Sequence, residues 1–342
     1  MNALYDEPEL TKPVKLCDRH GNLNPEAIGW SRLPLHDCNL KGNWPRKKRW
    51  NYWAIVSSTH LFSVTLSNID YLGLPFIYLL DFNTKSFTEK TLLKAFGTGC
   101  HLPSKVSGDV YYDDHAMSIA MVNTDGGTRL NITCPEFGGN PLQAEFFVHK
   151  PAGHETLNVV IPWSDKRFQF TSKQNTLPTE GILEWGNQKI LFGLEDTFAC
   201  LDLGRGMWPF ACFWNWSSFS TRLPNGKLVG INLGAGWTDG TGMNENALCV
   251  DGNLTKISED ITFKYDQNNF MAPWRLFTTA TDCVDLEFIP FYERVAKTEA
   301  LVIGSEVHQM IGTFKGMLKP DNGEPLFIEH AIGWAEDHQA RW

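Results

Sequence analysis

The chain has 342 residues, a formal net charge of −9, 42% hydrophobic residues and 20% charged ones. Such a composition supplies a core and argues against disorder, and its acidic balance disfavours nucleic acid as a partner, since that ligand selects basic surfaces. At about 150 residues per domain, the length suits one or two domains.

The opening stretch, MNALYDEPELTKPVK, is acidic and has no apolar run, so a secretory leader is not expected. The most apolar segments, such as LGLPFIYLL at 72–80, are too short to cross a bilayer. A cytoplasmic protein is the expectation. Eight cysteines, at 17, 38, 100, 134, 200, 212, 249 and 283, form no C-x-x-C and sit in apolar segments. They read as free thiols in a reducing compartment, without a disulfide framework or zinc site.

At 42–51 the chain reads GNWPRKKRWN, and at 206–215 it reads GMWPFACFWN, so the frame G-x-W-P-x-x-x-x-W-N recurs at an offset of 164. The first copy holds a basic insert, Arg46-Lys47-Lys48-Arg49, which reads as a solvated loop or as a point of transient membrane-surface contact. Four such charges would give weak, salt-sensitive attraction at about 1 kcal/mol each. Each copy continues as an aromatic strand, a turn, a second strand, a Gly-containing connector and a third strand that ends at an Asp (Asp81, Asp251). A repeat of that length implies two duplicated domains, whereas solenoid periods run to about 20–50 residues.

Further strand signals follow at 143–149, 156–163, 226–233, 283–291 and 301–314, with turn signals at 124–127, 224–226, 251–252 and 320–324. Amphipathic helix patterns are missing. Short strands at regular spacing predict antiparallel barrels or sandwiches, and small barrels commonly hold one ligand. The polar, Pro/Gly-punctuated segment 172–182 is the expected linker, giving a domain over 1–175 with an irregular N-terminal arm and a second over 182–342.

Nucleotide, nucleophile-elbow and zinc-protease signatures are absent from the sequence, so no cofactor and no metal are expected. The glycine-dense loop GAGWTDGTG at 234–242 lacks dinucleotide spacing and reads as a barrel lid, placing Asp239 and Asn244-Glu245-Asn246 near a mouth. In strand 301–314, Glu306 and His308 share a face about 7 Å apart, together with Val302, Met310 and Phe314. Burial there would raise the Glu306 carboxyl and make it a proton donor; the opposite face (Leu301, Ile303, Val307, Ile311) is the alternative interior. Glu293 and Arg294, after Tyr292, point to opposite faces, and a buried arginine calls for a carboxylate on another strand. Arg205, between glycines, would clamp an anion or satisfy loop carbonyls. The EDHQARW tail, with His338, would cap a barrel end.

The segments GRGMWPFACFWNWSSFS (204–220), GINLGAGWTDGTGMNENALCVDG (230–252), FYERVAK (291–297), SEVHQM (305–310) and GWAEDHQARW (333–342) resemble a bacterial family known as domain of unknown function 2804. More distantly, the W-x-W, strand, n-G-x-L, strand, x-V-D-G pattern at 214–252 is similar to hydroxyneurosporene-synthase-like and tocopherol-cyclase-like proteins. That likeness implies an all-β chain of two tandem antiparallel lipocalin-like β-barrel domains, in keeping with the internal duplication. It also implies hydration or cyclisation of isoprenoids, or lipid carriage, and transfers no catalytic residue.

The expected function is therefore binding of a small apolar molecule, such as a lipid or isoprenoid, in an aromatic-walled pocket. Trp53, Trp216, Trp237, Asn215, Tyr292 and Arg205 are the candidate ligand contacts. If the protein is an enzyme, a raised-pKa carboxyl (Glu306, Glu245 or Asp239, with His308 beside Glu306) would protonate a double bond. Indole faces such as Trp216 and Trp237 would then stabilise the developing cation. A non-catalytic lipid carrier and a carbohydrate-binding or carbohydrate-processing protein are the alternatives; the last requires indoles exposed in a groove.

Overall fold

Alternation along one aromatic segment decides how the molecule is layered. In the computed structural model, which describes residues 4–300, 303–321 and 323–342, residues Lys47–Val56 form a strand, β1. Its odd side chains Trp53 and Ile55 enter one apolar core, and its even side chains Tyr52 and Ala54 enter another, because successive residues of a strand face opposite ways. Residues 1–3 of the expected non-leader, Leu301 and Val302 of the last-but-one strand and Asn322 of a turn lie outside the described residues.

The first half continues with β2 (His60–Asn68), β3 (Leu72–Asp81), β4 (Phe87–Thr91), β5 (Val110–Asp114), β6 (Met117–Thr124), β7 (Gly127–Phe137), β8 (Asn140–His149), β9 (Arg167–Trp185) and β10 (Phe198–Met207). The second comprises β11 (Ala211–Arg222), β12 (Leu228–Ala235), β13 (Ala247–Val250), β14 (Asn253–Lys256), β15 (Thr262–Lys264), β16 (Trp274–Phe277), β17 (Val284–Ala300), β18 (Ile303–Leu318) and β19 (Leu326–Arg341). The first sheet runs β4-β3-β2-β1-β10-β9-β8-β7-β6-β5, and the second β14-β13-β12-β11-β19-β18-β17-β16-β15. The two orders are the same, with one further terminal strand in the first. In both, the first strand of the half pairs antiparallel with its last, and the register matches: Tyr52 lies opposite Asp202, and Trp216 opposite Glu336. The chain is all-β, with two tandem antiparallel lipocalin-like half-barrels from an internal duplication. Among the described residues no helix is long and apolar enough to cross a membrane.

Sheet membership moves the expected boundary. Segment 172–182 is no linker but lies within β9, a nineteen-residue strand shared between the core and the face of the second half. The first sheet ends at Met207 and the second begins at Ala211. Each sheet curls around its own core, Phe62, Ile119, Leu130 and Phe170 among others in the first, and Leu233, Trp274, Phe288 and Phe314 in the second. Two more clusters fill the seam between the halves, one around Trp208 and Trp237, the other around Tyr52, Tyr78, Trp216 and Trp334. The N-terminal arm crosses that seam: Glu7 accepts from Asn244 N and pairs with Lys256 at 2.5 Å. All eight cysteines are free thiols.

The repeated frame marks the strand entry of each half, and three of its four indoles pack in the seam. Trp50, Trp208 and Trp214 face the seam, while Trp44 is exposed. The basic insert belongs to β1 and its approach, not to a solvated loop. Lys48 is fully buried over the Tyr71 ring, Lys47 pairs with Asp70 at 3.4 Å, and Arg46 donates to Trp342 O. The frame's asparagines tie backbone and neighbours: Asn215 Nδ2 donates to Glu336 O, and Asn51 Oδ1 accepts from Arg205.

Arg205, on β10, is committed to architecture and not left to meet an anion. Its guanidinium donates to the carbonyls of Pro103, Trp50 and Gly204 and to Asn51 Oδ1, at 2.7–3.0 Å. Burial without a carboxylate lowers its pKa to about 10. Lysine cannot reproduce that fork, and each stranded buried carbonyl costs about 1–3 kcal/mol. Arg205→Lys is expected to lower the urea-unfolding free energy by roughly 2 kcal/mol or more; an unchanged midpoint would remove the guanidinium from this role.

Candidate functional site

Three strand faces converge on one ammonium group in the seam. Lys173 of β9 lies opposite Asp202 of β10. Its Nζ is 2.9 Å from Asp202 Oδ1, 3.1 Å from Glu245 Oε2 and 4.5 Å from the centre of the Trp216 ring. Each neighbouring carboxylate is held by an indole N–H: Trp50 donates to Asp202 at 3.1 Å, Trp237 to Glu245 at 2.9 Å and Trp214 to Glu336 at 3.0 Å. Local backbone makes room for this. A Cβ on Gly204 would overlap the Trp50 ring, and one on Gly234 would overlap the Glu245 carboxyl.

Glu336 begins a polar chain across the seam. Its Oε2 accepts from Gln309 Nε2 at 3.3 Å, Gln309 Oε1 accepts from the Tyr78 hydroxyl at 2.9 Å, and the Tyr78 and Tyr52 hydroxyls are 2.9 Å apart. Arg294 covers the Tyr78 ring and pairs with Glu89 at 2.7 Å, the inter-strand carboxylate that a buried arginine requires. Reversing the Gln309 amide lets a protonated Glu336 donate while Tyr78 accepts, so the chain accommodates either state.

Electrostatics favour such a proton. Burial opposes charge on Lys173, but Asp202 and Glu245 outweigh it and hold the ammonium above its ordinary range. With that cation committed, burial raises Glu245, and it raises Glu336 to about 7. Desolvation is the leading cause in both.

The residues expected to form a site are dispersed. Glu245, Trp216 and Trp237 meet in the seam; the glycine-dense loop tucks beneath Trp208 and does not lid a mouth. Asp239 sits on that loop, accepting from Gly236 N, its carboxyl raised by burial. Glu306 is half-exposed and paired to Lys297 at 2.8 Å, which holds its carboxyl below the ordinary range. The expected raised proton donor is therefore not there. Its face is nonetheless the inner one, since Met310 and Phe314 are core while Ile311 faces the seam. His308 bonds Glu293 at 2.7 Å and stacks on Phe270. Tyr292 packs beside Phe87 on the seam's edge. Asn215 bridges Tyr265 and β19. His338, buried against Trp214, is held neutral by burial at a pKa of about 3.

Trp53 belongs to a different feature, a cavity of about 360 Å³ in the first half. Val106, Val110, Met121 and Leu201 supply its apolar wall together with Trp53, and Asn51, Gln174, Lys150 and His154 its polar groups. It lies across the β1–β10–β9 sheet from the lysine cluster, because Trp50, Lys173 and Asp202 alternate with Asn51, Gln174 and Leu201. A larger hollow of about 1120 Å³ on the second half is lined by charges already paired with one another, Arg275 with Asp285 and Lys315 with Glu287.

Lys173, Asp202 and Glu336 escaped the sequence reading. A signal exists in the half-ends D-x-x-x-x-x-W at 202–208 and E-x-x-x-x-x-W at 336–342, offset by 134, not by the 164 of the frame. In the folded chain Lys173, Asp202 and Trp50 occupy the positions of Gln309, Glu336 and Trp214.

The raised Glu336 carboxyl has a stability consequence. Its pKa rises from 4.5 to about 7 on folding, so the folded state holds the extra proton between those values and stability falls as pH rises through that window. Glu336→Gln removes this contribution. Urea unfolding at roughly pH 5 and pH 8 is expected to show the wild type losing on the order of 2–3 kcal/mol more than the variant. Equal losses would show that Glu336 ionises normally.

Comparison with known proteins agrees with the architecture. A solved structure from Nitrosomonas europaea, assigned as AttH, matches at 14% identity and a TM-score of 0.50, covering 87% of this chain and 93% of that one. Kievitone hydratase from Nectria haematococca matches at 9% identity and a TM-score of 0.46, covering 98% and 97%. The first of these likenesses shows the fold. No curated protein matches the sequence. The family model described as domain of unknown function (DUF2804) matches residues 7–342, and the chain belongs to that family.

Proposed function

We propose that the chain binds a small, largely apolar molecule in the cavity of its first half. The observation that carries this reading is the cavity itself. Its volume of about 360 Å³ falls at the small end of the ligand-pocket range, about 300–1,000 Å³, and such pockets pair apolar walls with a few convergent polar groups. The distant likeness of 214–252 to isoprenoid-processing proteins supports an apolar ligand. The carbohydrate reading is disfavoured, because of thirteen tryptophans only Trp44 is exposed and the rest are buried or half-buried.

A second reading, acid-type hydration, cyclisation or isomerisation, is favoured by one observation. Glu336 and Glu245 are buried carboxyls with raised pKa values among Trp214, Trp216 and Trp237. In that reading a protonated carboxyl at the seam gives its proton to a double bond and an indole face steadies the cation. Activity would be greatest below about pH 7 and decline above it.

Two measurements separate these readings. Native mass spectrometry of the protein from its own host should release one apolar molecule per chain. Ser107→Trp, an exposed position on the cavity lining, should weaken rebinding of that molecule by about tenfold or more without changing the melting temperature. Unaltered rebinding would exclude the cavity. Glu336→Gln and Glu245→Gln should leave binding intact in either case; they abolish turnover only if the acid reading holds, and full turnover in both variants removes it.

A further inference from the structure

We infer that the cavity of the first half takes the carboxylate of a small apolar acid, with Lys150 as its counter-ion; this rests on the cavity reading above. The chain's other buried and half-buried cations in the core and seam have partners. Lys173 has two carboxylates, Lys256 has Glu7, Arg294 has Glu89 and Arg49 has Asp70. Lys48 and Arg205 are turned onto main-chain carbonyls. Lys150 stands apart. It follows β8, lines the cavity and has no ion-pair or hydrogen-bond partner for its ammonium among the described residues. Burial alone, with no carboxylate to offset it, lowers its pKa. Lys150 is half-buried, and a partly desolvated cation without a partner favours a counter-ion; the cavity that it lines is the place for one.

Neighbouring groups set the rest of the cavity's polarity. His154 lines the same cavity, and its imidazole is held neutral by burial and by the Lys150 charge. Its Nε2 lies 3.1 Å from Thr176 Oγ1, whose hydroxyl proton goes to Asn175 O, so Nε2 donates. Nδ1 is buried without a partner. On the same lining, Asn51 Nδ2, a donor, and Gln174 Oε1, an acceptor, have no hydrogen-bond partner among the described residues; Asn123 and Thr128 add polar surface, and Trp53, Val110 and Met121 the apolar part. An occupant with one negative charge at Lys150 and a hydrocarbon body against Trp53, Val110 and Met121 meets the cation and the apolar side of the cavity.

Charge count selects carboxylate over phosphate. A phosphate monoester brings a charge near −2 and is commonly met by an arginine fork or several cations. Only one cation lines this cavity, and Arg205 behind it is already committed.

The test uses decanoate, 1-decanol and decyl phosphate as probes, with the intact chain and tryptophan fluorescence as readout. Wild type is expected to bind decanoate at least about tenfold more tightly than decanol. Lys150→Met keeps the aliphatic stem and is expected to erase that preference, with decanol affinity changed less than about twofold. Ser107→Trp should weaken both. Equal binding of acid and alcohol by wild type, or decanoate binding unchanged in Lys150→Met, overturns the headgroup inference while leaving the cavity reading intact, provided Ser107→Trp still weakens binding. Tighter binding of decyl phosphate than decanoate, lost in Lys150→Met, overturns the choice of carboxylate. No binding of any probe, or no effect of Ser107→Trp, overturns the cavity reading and this inference with it.

Discussion

Four strands with both faces buried hold this molecule together. β1 and β10 from one half and β11 and β19 from the other each present one face to their own core and the other to the seam. An antiparallel sheet usually leaves one face to water; here neither is free. Polar groups on the seam face must then find partners within it, and most do, Trp334 Nε1 being an exception. The indole–carboxylate pairs, the lysine between two acids and the tyrosine–glutamine–glutamate chain are the solutions found. Because two of these contacts, 173 to 245 and 78 to 309, cross from one half to the other, they also fix how the two halves face each other.

That constraint explains what could be read from the sequence. The duplication was legible because the frame's tryptophans and asparagines do equivalent work in both halves, and strands were legible wherever apolar and β-branched residues were dense. The boundary was not, because SKQNTLPTEGI reads as a linker. Residues 172–177 are buried nonetheless: Lys173 answers Asp202, Gln174 bonds Ser172, and Thr176 N donates to Ser220 Oγ. Local polarity there reflects the seam and the cavity, not solvent. The site was half legible for the same reason. Glu245, Trp216 and Trp237 announce themselves as an acid among indoles, but Lys173, Asp202 and Glu336 acquire meaning only from partners far along the chain. Glu306 shows the converse failure. Its strand face is apolar toward Met310, yet the strand end lies beyond the core and Lys297 claims the carboxylate.

One sheet thickness separates the cavity from the lysine cluster. Asn51, Gln174 and Leu201 look into the cavity, while their chain neighbours Trp50, Lys173 and Asp202 look into the seam. A ligand pressing on the first set therefore acts on strands whose other face carries the charges. Interiors packed to crystal-like density transmit such displacements.

The duplication also provides an internal control on the ligand reading. Asn51 and Asn215 hold the same place in the repeated frame and point into their own halves. In the second half, Asn215 Nδ2 donates to the Tyr265 hydroxyl at 3.0 Å, and that hydroxyl in turn donates to Asp337 at 2.5 Å. The Tyr265 ring stacks on Trp274, centroid to centroid at 3.9 Å. The second copy thus satisfies its inward asparagine with its own side chains. In the first copy, Asn51 Oδ1 is taken by Arg205, while Nδ2 has no partner among the described residues and the space before it is cavity. The second copy shows that the fold has the means to occupy such a donor with its own side chains. That the other copy leaves the position open, beside a cation without a counter-ion, is what a site built to be completed by a ligand requires.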